Sequence, residues 1–450
     1  MINVIASSII IYTAMTMLTN NHDDTLILGG GLSGLACGLR LSQRGYKVRI
    51  LEKENVLGGL AASFWQNGKW IPFTYHHIMA IDKMSRRYLN MLDLKKDQYW
   101  NKVKFCFWFD KKTYSMTQPW DIFFFDVLTF AEKLKMLKFG IYCRLKRNWA
   151  KLEDADCEKW LNNFLGERTT NEIFKPLSEM EFGVPLGSLG VGWLGSRLRE
   201  SARNRDRFSY ITSGIHQLVT RLADKIKLNN GIIETGKKII GVSQHNITAQ
   251  DTETGQKYSF NPKRIISTIP PCELIKVFDK PQDLCPQLKT ITYRPLICFI
   301  AGSRHHISDY YVNIFMRPRY IFGGMFNHTV LYPQGGTNGE FVYHFFCYTD
   351  IDGPYYQKSC DELSGIFLNE VRKICPGFSI EWLKIWRTAH STPMFIRKYK
   401  NVPIKNIKGP IYYSGVYKEY PATLTMDTAL KSGVKTAEYI IREDAQDAKK

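Results

Sequence analysis

"TLILGGGLSGLACGLRLSQRGYKVRILEKENVLGGLAAS", Thr25 to Ser63, decides how this chain is read. Thr25 to Leu28 is a short apolar run that stops at Gly29-Gly30-Gly31-Leu32-Ser33-Gly34, after which Leu35, Leu39, Gly34 and Gly38 recur at helical spacing. The order is strand, tight turn, helix. Gly29 permits the turn, Gly31 lets backbone approach a diphosphate with no side chain in the way, and Gly34 lets the helix lie close to the sheet. Leu32 and Ser33 open that helix, whose free N–H groups and partial positive charge suit phosphate oxygens. Gly45 closes it, Lys47 to Leu51 reads as a second parallel strand, and Glu52 stands at the strand's carboxyl end with Lys53 beside it. An acid there is placed to accept hydrogen bonds from ribose hydroxyls. The pattern predicts a bound adenine dinucleotide and leaves NAD and FAD both open.

Five residues after Glu52 comes Gly58-Gly59, in "ENVLGGLAAS". This acid-x5-Gly-Gly arrangement resembles the extended signature of the flavoprotein superfamily that holds monoamine oxidases, protoporphyrinogen oxidases and phytoene desaturases. The resemblance implies FAD, with the Gly58-Gly59 loop passing close to it. Leu60 stands where that family often carries Arg. At the far end, Ile411 to Ser414 reads as a strand ended by Gly415. A helix from about Met426 then carries Ala429, Leu430, Gly433, Ala437 and Ile440 at spacings of three and four. By the resemblance this segment closes over the flavin ring, with Gly415 and Asp427 beside the cofactor. Asp427 is equally a good helix-start residue, and Val416 occupies the position where the family usually places an acid; Glu419 is nearby. No Cys lies between Gly415 and Asp427, so no cysteine of this segment can hold flavin covalently. "IISTIPP", "YITSGIHQLVTRLADKI" and "KIIGVSQ" repeat the family's order in between.

The implied fold class is α/β: a discontinuous Rossmann-like FAD-binding domain with an inserted α+β substrate domain. Residues 22–84, 205–271 and 387–441 form the cofactor part, 85–204 the helical portion of the substrate domain and 272–386 its sheet portion. Asp154 reads as a helix start before "CEKWLNNFLGE", and "LICFIAG" and "EFVYHFFCY" read as strands. A Tyr-His-His run similar to "FTYHHIMAID" occurs in protoporphyrinogen-oxidase-like sequences, making His76 and His77 candidate acid/base or orienting groups. Tyr417 and Tyr420 fall where amine oxidases keep an aromatic wall; Arg294, Tyr343 and His344 are weaker candidates.

The expected activity is oxidation of a C–H or C–N–H bond of a small or lipophilic molecule by hydride transfer to non-covalent FAD. Two alternatives stand beside it. One is a non-redox flavoenzyme resembling UDP-galactopyranose mutase, whose diphosphate site could draw on Arg197, Arg199, Arg203, Arg205 and Arg207. The other is an FAD-binding protein without turnover.

The formal charge of +19 comes from Lys and Arg spread along the chain, with no basic tail and no reader motif, which argues against nucleic acid and for anionic partners. Ten separated cysteines with no CxxC pair read as reduced thiols of a reducing compartment, hence a cytoplasmic protein, and no Cys/His spacing predicts a metal. "MINVIASSIIIYTAMTML" reads as neither signal peptide nor membrane span, with Met15 or Met17 an alternative start. Gln118 to Lys151 couples Trp120 and a Phe-rich run with many cations, a composition for a helical lobe or for a surface lying on anionic lipid. Oligomeric state is not legible.

Overall fold

The computed structural model describes residues 18–20, 24–110, 112–203, 207–422 and 424–449. The leading stretch through Met17, with both alternative starts, and Arg205 lie outside the described residues. β1 (Thr25–Leu28), α1 (Leu32–Ser42) and β2 (Val48–Leu51) follow in the order the opening stretch predicts. A hairpin, β3 (Ser63–Gln66) and β4 (Lys69–Pro72), leads away from the glycine pair toward α2 (Lys83–Met91). The helical lobe includes α3 (Phe130–Leu145) and α4 (Val191–Arg203). The chain returns through α5 (His216–Leu228) to β5 (Ile232–Glu234) and β6 (Arg264–Ser267). A second excursion begins at α6 (Pro271–Val277) and runs through β7 (Tyr293–Ser303), β8 (Phe341–Tyr348), α7 (Cys360–Ile374) and β9 (Trp382–Pro393). β10 (Ile411–Tyr413) and α8 (Met426–Asp447) close the fold.

The first sheet has the order β5-β2-β1-β6-β10 and every pairing is parallel. β1 and β2 are buried along their whole length: Ile27 and Ile50 face α1, which packs with α5 and α8, while on the opposite face Arg49 lies over the Phe260 ring of a separate small sheet. Leu26, Ile27, Leu28, Ile50, Ile265 and Ile266 are fully buried, each stabilising the core by about 1.5–3 kcal/mol. From β1 the chain crosses to β2 on one side and later to β6 on the other. The carboxyl end of β1 is therefore the switch point where such sheets hold ligands, and it is where the glycine loop lies.

The second sheet has seven strands. Its order is β9, β7, β8, Gly324–Asn327, Val312–Arg317, Phe105–Phe109 and Lys112–Ser115. Side chains alternate across it. Ile297, Phe299, Ala301, Tyr343, Phe345 and Cys347 pack with Leu363, Phe367 and Val371 of α7, while Cys298, Ile300 and Val342 pack with Ile71 of β4. One face is thus filled by a helix and the other turns to the segment leaving the glycine pair.

Three expectations shift. Two strands of this sheet come from within 85–204, which is otherwise helical, because Phe105–Phe109 pairs in parallel with Val312–Arg317. The sheet portion runs past 386, since β9 continues to Pro393. The helix of "CEKWLNNFLGE" starts at Cys157 and is capped by Asp156, whose carboxylate accepts from the Lys159 N–H; Asp154 lies outside it. The ten cysteines are all free, seven of them buried.

Candidate functional site

The site begins as a set of backbone contacts that only glycine permits. The Gly58 N–H donates to Gly30 O (2.9 Å), and Gly31 and Gly58 form an isolated parallel bridge, so the glycine pair lies directly on the glycine loop. Gly58 and Gly59 have φ of +111° and +58°, which places both in the left-handed region that disfavours side chains. A Cβ on Gly34 would stand 2.1 Å from Gly29 O, whereas one on Gly31 would meet nothing within 4 Å. These two glycines are therefore glycine for different reasons. Gly34 is filled in by the fold; Gly31 borders open space at the N-terminus of α1, where the cap makes no side-chain hydrogen bond and the first turn carries no acid. The first-turn N–H groups have no intrahelical acceptor. A diphosphate fits that cradle in volume, charge and hydrogen-bond polarity.

Glu52 sits, buried, at the end of β2. Its Oε2 accepts from Gly30 N–H (2.7 Å) and its Oε1 from Glu54 N–H (3.0 Å), which holds the carboxylate at the edge of the loop. Lys53 is exposed and borders an open hollow of about 290 Å³ with Glu54, Asn55, Lys238 and Thr252. Leu32 points inward and is buried.

Sequence reading named Ser33 but missed Ser414 and Ser432, which tie it to the far end of the chain. Ser33 Oγ lies 2.7 Å from Ser414 Oγ, Ser414 Oγ lies 3.5 Å from Ser432 Oγ, and the Gly415 N–H donates to Ser432 Oγ (2.9 Å). All three serines are buried. Serine is too common for spacing to single these out; the signal was only that each neighbours a glycine of the motif. Gly415 has φ +151°, and a Cβ there would meet the Tyr417 ring at 2.6 Å. α8 crosses α1 so closely that a Cβ on Gly433 would stand 2.2 Å from Ser33 O.

Asp427 is engaged within the protein. Thr425 is the N-cap of α8, in a capping box with Thr428, and Asp427 Oδ1 accepts from Ser85 N–H in the first turn of α2 (2.7 Å). Asp427→Ala is expected to cost about 1–3 kcal/mol while FAD absorbance of the folded protein is unchanged; loss of flavin without loss of stability would reverse that assignment. Glu419 is turned to α8, ion-paired with Lys435 (2.8 Å) and Lys431 (3.3 Å), and so does not stand in for the acid missing at Val416.

His76 and His77 diverge. The Leu60 carbonyl accepts from His76 Nε2 (2.8 Å) and from Thr74 Oγ1 (3.1 Å), so His76 carries its proton on Nε2. His77 Nδ1 lies 3.0 Å from Tyr311 Oη, with its ring edge-on to Phe208 at 4.4 Å. Burial lowers His76, and burial with the His76 charge lowers His77 to about 3. Two further histidines stand nearby on the large sheet. His344 donates through Nε2 to Pro72 O (2.9 Å), its buried Nδ1 has no partner among the described residues, and burial lowers it to about 4. His328, 5.9 Å from it, is lowered by burial to about 3. These imidazoles are neutral in the folded protein near pH 7. Unfolded, each titrates near 6.5, so between roughly pH 6.5 and their depressed values the unfolded chain binds more protons and stability falls as pH falls. His77→Leu is expected to flatten that acid side of a plot of melting temperature against pH; an unchanged slope would show that His77 is not a carrier of it.

Tyr420 joins another cluster. It stacks on Tyr399 (5.1 Å) and meets Phe395 edge-on (5.2 Å), with its buried Oη against Gly190 and Gly192 of the helical lobe. Tyr399 Oη donates to Tyr417 O (2.6 Å). Arg294 pairs with Asp350 (2.5 Å), and Tyr343 Oη bonds the backbone of His305 and Ile307, both supports of the sheet. One cluster of metal-ligand type occurs among the described residues, Cys272, Glu273 and His390, and there Lys276 already pairs with Glu273 (2.8 Å).

A family model described as flavin containing amine oxidoreductase matches residues 32–441. In its fold the chain is similar to a protein of Exiguobacterium sp. 255-15 assigned as a protoporphyrinogen oxidase. The TM-score is 0.74 and the identity 14%, with 95% of this chain and 100% of that one covered. It is also similar to putrescine oxidase bound to putrescine (TM-score 0.71, 15% identity, 94% and 100% covered). For reduced UDP-galactopyranose mutase the TM-score is 0.71 at 14% identity, with 93% and 96% covered. A neurosporene-forming phytoene desaturase of Cereibacter sphaeroides is 39% identical over 49 residues, a stretch spanning 11% of this chain and 10% of that relative's own length.

Proposed function

The chain belongs to the flavin containing amine oxidoreductase family and is an FAD-dependent oxidoreductase, and from that premise we propose that it oxidises a C–H or C–N–H bond of a lipophilic small molecule. FAD, when bound, supplies the acceptor for the hydride. Gly31, the first turn of α1 and the Gly58-Gly59 pair would hold its diphosphate, and Glu52 its ribose, all without a covalent bond. The substrate would lie where the face of the large sheet turns to the segment after the glycine pair.

The observation that carries the lipophilic reading is the chemistry of that face. Tyr75 stacks on Phe326 (3.6 Å) and leans on Phe346 (5.8 Å), His77 sits among Phe208, Tyr311 and Phe326, and the histidines there are held neutral. A charged substrate group buried against these rings would be left without a counter-ion, at a cost of several kcal/mol. Neutral His76, fixed with Nδ1 unprotonated, suits accepting a hydrogen bond from a substrate N–H or O–H better than acting as an acid. We place the protein's lipophilic substrate at an anionic membrane surface, to which its net charge of +19 is complementary.

Arg197 and Arg199 give the mutase-like alternative no joint diphosphate clamp. Arg197 lies over the Trp193 ring (5.7 Å), and at about 100° per residue Arg199 lies on the opposite side of α4, so the two do not form one clamp. Anaerobic addition of lipophilic amines, porphyrinogens and polyene precursors to the purified holoprotein tests the reading. Bleaching of the flavin band by one class without dithionite supports it, product only after dithionite favours the non-redox reaction, and neither outcome points to a flavin binder.

A further inference from the structure

α3 is amphipathic on two opposite faces. Its inner face buries Phe139 and Cys143, which pack into the helical lobe. At about 100° per residue, Phe130, Leu134, Leu137, Ile141 and Leu145 fall within an arc of roughly 80° on the opposite side, and four of these five are exposed. The exposure is high: 67% for Phe130, 53% for Ile141 and 70% for Leu145. The 3-10 turn before the helix continues the stripe with Trp120 at 59% and Phe124 at 78%, and Phe123 lies 6.5 Å from the Phe130 ring. A run this long of large apolar side chains facing outward is uncommon on a soluble surface.

Charge completes the pattern. Lys138 borders the stripe on one side and Arg144 on the other, with Lys135 and Arg147 nearby, and none of these four takes part in an ion pair among the described residues. The acids of the same segment are occupied: Asp126 by Lys112 (3.0 Å), Glu132 by Arg168, and Asp121 by Ser115 (2.5 Å). The face therefore presents apolar side chains ringed by uncompensated cations. That is the composition of a helix lying in the headgroup region of an anionic bilayer. No helix among the described residues is long and apolar enough to cross a membrane.

We propose that the face formed by Trp120, Phe124, Phe130, Ile141 and Leu145 inserts shallowly into an anionic lipid surface, with Lys138 and Arg144 at the phosphates. This face rests on the membrane-bound half of the reading above and is independent of its flavin chemistry. Co-sedimentation of the holoprotein with vesicles of phosphatidylglycerol and phosphatidylcholine is the test, beside vesicles of phosphatidylcholine alone. Binding is expected to the anionic vesicles and to weaken as salt rises. Phe124→Glu with Phe130→Glu is expected to weaken it by at least about tenfold, and Lys138→Glu with Arg144→Glu by roughly tenfold. The charge pair acts as the second arm if the aromatic pair fails to fold, and flavin absorbance of each variant reports folding. Absence of vesicle binding by a flavin-loaded wild type overturns the membrane face and leaves the oxidoreductase reading standing. A salt-resistant dimer broken by Phe124→Glu with Phe130→Glu, without vesicle binding, also overturns it and assigns the face to a second copy of the chain.

Discussion

Gly31→Val is expected to fold as the wild type does and to emerge colourless. Nothing lies within 4 Å of the position a Cβ would take there, and the residue's own φ of −73° and ψ of 174° suit any L-amino acid. The fold therefore sets no requirement for glycine at this position. On the proposed site the requirement comes from a ligand whose diphosphate would approach the backbone at van der Waals distance. The isopropyl group would occupy that space, and FAD affinity is expected to fall by at least about a thousandfold, on the order of 4 kcal/mol. Thermal unfolding without FAD should stay within about 0.5 kcal/mol of wild type. Retention of flavin by a folded Gly31→Val protein would sink the site assignment, because no repacking of neighbours could be invoked.

Gly433→Ala carries the second large effect, with the opposite signature. A mid-helix Gly→Ala exchange ordinarily stabilises by up to about 1 kcal/mol, and Gly365 of α7, exposed with nothing within 4 Å of its Cβ position, is expected to behave that way. At Gly433 the methyl group would stand 2.2 Å from Ser33 O, 2.9 Å from Cys37 N and 3.0 Å from Ala36 Cβ. Two of those three atoms are backbone and cannot rotate away, so α8 must separate from α1. The expected net loss is about 2 kcal/mol or more. Because the same crossing brings Ser432 to Gly415 and Ser414 to Ser33, flavin should be lost together with stability. Denaturant unfolding of the Gly433→Ala and Gly365→Ala proteins, each against wild type, reads the contrast, and equal small shifts in both would show that the helices are not locked at that crossing.

The two glycines mark the boundary between what local sequence carries and what it does not. β1, α1 and β2 follow from the chain itself, because a buried parallel strand is a continuous apolar run and glycine is the residue that tolerates the positive φ of Gly29 and Gly58. Glu52 and the glycine pair follow for the same reason, since their spacing along the chain fixes their spacing around the switch point. α8 was legible from its apolar period, although its cap is Thr425 and the role of Asp427 is set by α2, which is 342 residues away in sequence.

Contacts between distant segments, by contrast, have no signature in a window of residues. Nothing near Phe105 in the chain announces that it pairs beside Val312, and nothing near Ser432 announces Ser33 or Gly415. The protonation state of His77 depends on rings supplied by Phe208, Tyr311 and Phe326, and Tyr420 finds its partners in Phe395 and Tyr399. The outward face of α3 is the clearest case. Its apolar period is present in the sequence on both sides of the helix, and only packing decides which side the lobe buries and which it leaves to solvent. Backbone dihedral preference and hydrophobic period act over a few residues and fixed the cofactor half of this protein; burial and neighbouring charge act through space and were decided by the tertiary fold alone.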